Sequence, residues 1–112
     1  MTLLEKYIHC MEIGDNVGLA ELFDEYGVLH DSSLGKAKMD TMHLEGRMAI
    51  EMMFHHKFGF NGGPFKIRNV EYKGKDTVEY FIHYGRTVIP VTATLEQEDE
   101  NGKIKYLRIT PI

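Results

Sequence analysis

Leu4, Tyr7, Ile8 and Met11 recur at the spacing of one helix face, behind Thr2-Leu-Leu-Glu5, which has the form of a capping box. Gly14 supplies the stop, because the left-handed C-cap of a helix suits glycine. Asp15 is placed to cap a second helix whose face would be Leu19, Leu22, Phe23 and Tyr26, with Gly27 ending it. Together these predict an amphipathic helical hairpin. Val28 to Ser33 then reads as a strand, followed by a turn containing Gly and Lys and by a return strand through Met39 to Leu44. Gly46 opens a third helix, in which Ala49, Ile50, Met53, Phe54 and Phe58 form a broad apolar face up to Gly59 and the Asn61-Gly-Gly-Pro64 turn.

From Phe65 the period changes from helical to extended. Phe65 to Tyr72, Thr77 to Tyr84, Thr87 to Glu96 and Lys103 to Ile109 are β-branched or aromatic runs, separated by Gly74-Lys-Asp76, Gly85-Arg86 and Glu100-Asn-Gly102. This predicts an antiparallel meander. Helices first and strands after make an α+β domain with a curved antiparallel sheet, whose concave face the helices must cover. On Thr87 to Glu96 apolar residues occupy both parities, with Val88 and Pro90 on one face and Ile89, Val91, Ala93 and Leu95 on the other. A sheet with one solvated face alternates more cleanly. The convex face is therefore expected to be covered by a second copy in a twofold homodimer, with Tyr106 or Leu107, whichever points outward, near its centre.

Composition narrows the partners. With 112 residues, 43% of them hydrophobic, the chain can bury a core of its own, and residues 1–112 read as one domain. Cys10 is the only cysteine, which excludes a disulfide framework and fits a reducing, cytoplasmic setting. Glu5, Lys6, His9 and Glu12 break the first apolar run, and no later run approaches the ~20 residues of a membrane span, so neither a secretion signal nor a membrane partner is expected. The net charge of −4, with dispersed basic residues, argues against nucleic acid.

Motif chemistry excludes more than it assigns. His55 and His56 are adjacent, so they diverge on a helix, and no His pair stands at ligand spacing. No metal and no cofactor are expected. Gly62-Gly63-Pro64 lacks the strand-turn-helix setting of a phosphate loop, and there is no Gly-x-Ser-x-Gly elbow. Met39, Met42, Met48, Met52 and Met53 suit an adaptable core or a pocket lining.

Three strings carry a resemblance. Tyr7 to Phe23 has a helical hairpin with a Gly-Asp corner, Gly46-Arg-Met-Ala-Ile-Glu-Met-Met-Phe54 a third helix, and Glu98 to Arg108, through Asn101, Gly102 and Ile104, a last hairpin. In order and spacing they resemble the nuclear transport factor two-like superfamily, and within it the ketosteroid isomerase and SnoaL-like branch. The resemblance implies a cone-shaped, cystatin-like roll with three N-terminal helices on the concave sheet face, enclosing an apolar pocket for a small, often cyclic, ligand. Tyr7, eight residues before Asp15, stands where those isomerases carry the Tyr that donates to the substrate oxygen. Asp31, eight residues after Phe23, stands where they carry the proton-shuttling Asp. Thr92, counted from Pro90, replaces the protonated Asp that is their second oxyanion donor. Ser32 replaces the Pro that commonly follows the base, and Ser32 to Glu45 is longer than the isomerase loop.

Enolisation beside a carbonyl needs a base near the acidic carbon and a donor at the oxygen. Asp31 and Tyr7 would supply these, and Thr92 a weaker donor. Losing a good oxyanion donor costs about 3 to 4 kcal/mol, which implies a slower enzyme or a more acidic substrate. Each residue also has a plainer role. Tyr7 would equally fill the core, and Asp31-Ser-Ser33 would start a turn, although a carboxylate sharing the strand face of Leu29 calls for a reason. His83 alternates with Thr77, Glu79 and Phe81 against Tyr80, Ile82 and Tyr84. It is an acid or base if its set faces the pocket, and a dimer contact if that set faces out. The expected function is proton transfer on a small apolar or cyclic carbonyl compound by an isomerase or lyase. The alternative is a non-catalytic ligand-binding or dimerising module of the same fold.

Overall fold

A computed structural model describes residues 1–112. Helix α1 (Leu3–Ile13) begins at the expected capping box: Glu5 N–H donates to Thr2 Oγ1 at 3.1 Å and Thr2 N–H to Glu5 Oε1 at 2.8 Å. Gly14, at φ 74°, ends it. Asp15 Oδ1 accepts from Gly18 N–H at 2.8 Å to start α2 (Asn16–Glu21), which stops well before Gly27.

The expected second half of that helix is the first half of strand β1 (Phe23–Asp31). The carbonyls there serve long-range partners instead of a helical ladder. Leu22 C=O accepts from Ile104 N–H at 2.8 Å, and Phe23 C=O accepts from Arg47 Nε at 3.0 Å and Nη2 at 2.6 Å. Phe23 is fully buried, whereas Tyr26 is 79% exposed. Gly27 is required by a close approach and not by a helix end, since a Cβ there would lie 2.5 Å from the Ile104 carbonyl oxygen.

Ser33 does not extend the strand but opens a 3-10 helix, Ser33–Ala37. Strand β2 is Met42–Glu45, starting later than the predicted return strand. Helix α3 (Arg47–Phe60) runs through Gly59. Strands β3 (Ile67–Tyr72), β4 (Thr77–Tyr84), β5 (Thr87–Glu98) and β6 (Ile104–Pro111) form the expected meander.

The sheet order is β2-β1-β6-β5-β4-β3. It is mixed and not wholly antiparallel, because β1 and β6 pair in parallel, with Leu29 opposite Leu107 and Asp31 opposite Ile109. A parallel pair needs a long crossover, and here everything from Ser32 to Lys103 makes it. One cluster of buried side chains joins Leu4, Tyr7 and Met11 of α1 and Ile50 and Phe54 of α3 to Val78, Tyr80 and Ile82 of β4 and Ile89, Val91, Ala93 and Leu95 of β5. Residues of the other parity are more open, Phe81 being 39% and Val88 44% exposed. Leu107 belongs to the core, so Tyr106 is the outward residue of that pair. No helix is long and apolar enough to cross a membrane.

Candidate functional site

Asp31 is the last residue of β1, held between Met42 of β2 and Ile109 of β6 and only 6% exposed. Its Oδ1 accepts from Ser33 N–H at 2.8 Å and from Ser33 Oγ at 2.5 Å. The turn and the inward-facing carboxylate are thus one arrangement, in which the Asx turn aims the group. It borders a void of about 10 Å³, lined among others by Tyr7, Ser33, Phe54, Tyr80 and Tyr84. That is room for about one water molecule.

Burial raises the Asp31 pKa above its ordinary 3.8, opposed first by the two Ser33 hydrogen bonds and then by the charges of Lys57 and His30. Burial also raises the Tyr7 and Tyr80 hydroxyls well above the usual tyrosine range, and the negative charge of Asp31 adds to both. Tyr84 moves the same way for the same two reasons. Three phenols that stay protonated therefore line the same void as one carboxylate. This arrangement gathers a carboxylate and protonated hydroxyls, the group types that proton transfer uses, in one place.

Of the four residues singled out in the sequence, the structure brings Tyr7 and Asp31 together. Thr92 stands apart from them. It sits between the fully buried Val91 and Ala93, opposite Glu79 and Thr110, so pleating turns its hydroxyl to the other sheet face. It cannot be a second donor at the void. His83, opposite Val88, shares the parity of the half-exposed Phe81 and also lies outside the void. Tyr80 and Tyr84, which the sequence reading did not single out, line the void from β4. Their shared parity with Ile82 carried that signal, once the core face of β4 was known.

An open cleft of about 310 Å³ adjoins the void, with Tyr84 in the wall of both. Lys57, Phe60, Phe65 and Met39 line it as well. Lys57 Nζ lies 5.2 Å from the centre of the Tyr84 ring, and Phe65 packs edge-on to the same ring at 5.2 Å. No group of three or more His, Cys, Asp or Glu side chains is gathered as a metal ion would require.

Solved structures resemble the chain over nearly its whole length. A nuclear transport factor two-like protein of unknown function from Burkholderia xenovorans is 20% identical with a TM-score of 0.68, covering 97% of this chain and 79% of that one. A protein of unknown function with a cystatin-like fold from Methylobium petroleophilum is 14% identical with a TM-score of 0.72, covering 97% and 72%. A hypothetical protein with a ketosteroid isomerase-like fold from Catenulispora acidiphila, in complex with trimethylamine, is 16% identical with a TM-score of 0.66, covering 96% and 82%. No family model matches the sequence, and no curated protein matches it significantly. The fold is that of the nuclear transport factor two-like, cystatin-like proteins, with a curved six-stranded sheet and three helices.

Proposed function

We propose that this chain is a small-molecule pocket protein of the ketosteroid isomerase-like type, an isomerase or lyase that moves a proton on a small apolar or cyclic carbonyl compound. The single observation that carries the reading is a buried carboxylate facing three tyrosines across a void. Asp31 takes the proton from the carbon beside the carbonyl, and Tyr7 and Tyr80 donate to the oxygen as negative charge grows there. The helices close the concave face of the sheet over this centre, and the outer face, with Phe81, Val88 and Tyr106, pairs two copies. A void of about 10 Å³ cannot admit a ring. The ligand body therefore occupies the cleft of about 310 Å³, and only its reacting edge reaches Asp31, past Tyr84.

The test is exchange of α-carbon hydrogen for deuterium in a panel of cyclic ketones, followed by NMR in heavy water. Asp31→Asn should abolish the exchange and Tyr7→Phe should slow it by about 10²-fold or more. Undiminished exchange in Asp31→Asn would remove the base from the scheme. A second reading keeps the pocket without the chemistry. It is favoured by the Catenulispora protein of the same fold, which holds trimethylamine. A ligand that binds the parent protein and Asp31→Asn alike, with no exchange in either, would establish that reading instead.

A further inference from the structure

Lys57 stands near the C-terminal end of α3, half-buried, in the wall of the cleft. The ion pairs of the molecule are His43 with Glu45, Lys73 with Glu71 and Arg108 with Glu96, and Lys57 belongs to none of them. Its Nζ lies 5.2 Å from the centre of the Tyr84 ring, and the charge of Asp31 partly offsets the effect of burial on it. A cation in the last turn is favoured by the helix dipole. Partial burial of an unpaired ammonium disfavours its charged form, and the pKa of Lys57 is accordingly lowered. Phe65, Met39 and Ala37 line the rest of the cleft together with Gly85, Thr87 and the largely exposed Phe60. Asn61 on its rim is already engaged, since its Nδ2 donates to Pro64 C=O at 3.0 Å and holds the turn. The cleft thus offers apolar walls, one unpaired positive charge, and a volume near the lower end of small-molecule sites.

We propose that this cleft binds a small carboxylic acid with a single-ring apolar body, its carboxylate on Lys57 Nζ and its ring against Phe60, Phe65 and Tyr84. On the proton-transfer reading given above, the substrate is then a keto acid, anchored by its carboxylate with the carbonyl turned toward Asp31. The two sites are coupled through charge. Lys57 holds the Asp31 carboxyl down against the effect of burial. A carboxylate bound on Lys57 cancels that influence, so Asp31 becomes the stronger base when the anion is in place.

The probes are benzoate and benzamide, which share a shape and differ in charge, titrated into the whole protein and followed by amide NMR. Benzoate should bind at least about tenfold more tightly than benzamide, a ratio worth about 1.4 kcal/mol. Lys57→Met should erase the difference while leaving benzamide unchanged, and Lys57→Arg should keep it. Circular dichroism of each variant confirms the fold. The Asp31 carboxyl should titrate at higher pH with benzoate bound than without it. Equal affinities for the two probes, or an unchanged preference in a folded Lys57→Met, overturn the proposal. Asp31→Asn should retain the benzoate preference, so loss of proton transfer and loss of the anion site are read separately.

Discussion

Gly27→Ala adds one methyl group where the backbone of β1 meets that of β6. The new carbon would lie 2.5 Å from the Ile104 carbonyl oxygen, 3.1 Å from Asp24 O and 3.2 Å from Phe23 Cβ, whereas ordinary contact begins near 3.4 Å. None of these is the free end of a flexible side chain. Ile104 N–H is bonded to Leu22 C=O at 2.8 Å, and Gly27 C=O accepts from Gly46 N–H at 2.7 Å, so the two segments are pinned at the contact. Overpacking costs typically about 1 to 3 kcal/mol, and a rigid backbone neighbour places this case at the upper end. At roughly 4 to 8 °C per kcal/mol, the melting point should fall by about 15 °C. Gly59→Ala is the matched control: Gly59 lies inside α3 with nothing within 4 Å of an added Cβ. There alanine should gain about 0.5 to 1 kcal/mol, because it is the better helix former. Thermal unfolding followed by circular dichroism gives both signs in one experiment. A Gly27→Ala melting point within about 3 °C of the parent refutes the reasoning.

Burial raises the Asp31 pKa in the folded chain, so its contribution to stability is fully present below the ordinary 3.8 and is lost as pH rises through the higher folded value. Asp31→Asn should therefore gain stability relative to the parent as pH rises from about 4 toward neutrality. Urea midpoints for both proteins across that range check this, and a difference that does not vary with pH contradicts it. For the proposed pairing of outer sheet faces, light scattering at micromolar concentration should give about twice 12.9 kDa, and Tyr106→Glu should halve the mass. A parent mass of 12.9 kDa excludes the pair.

Local signals were legible because their causes are local. The Thr2–Glu5 box, the left-handed Gly14 and the bounds of β4 each depend on a few consecutive residues, and the structure has all three where the pattern put them. Phe23 was misplaced for the opposite reason: its spacing from Leu19 suits a helix, and only pairing with the distant Ile104 makes it a strand residue. The parallel seam was hidden in the same way, since nothing near β1 names its partner. At the site, the shared parity of Leu29 and Asp31 foretold that both would be buried. Thr92 was placed by counting along a family pattern, yet the apolar set Ile89, Val91, Ala93 and Leu95 already indicated that it faces the other way. Tyr80 and Tyr84 went unassigned because alternation yields two sets without saying which is inward, and the packing of α1 and α3 decides that.

The parallel seam sets an order of assembly during synthesis. β1 emerges from the ribosome long before β6, so until residues 104–111 follow, one long edge of β1 has only solvent or another chain to pair with. The pairing of strands so distant in sequence forms slowly, which leaves the waiting chain prone to misassociate. Asp31 lies opposite Ile109, so the void beside the carboxylate gains that wall only when β6 is in place. The Asp31 carboxylate is then fully enclosed only once the sheet is complete.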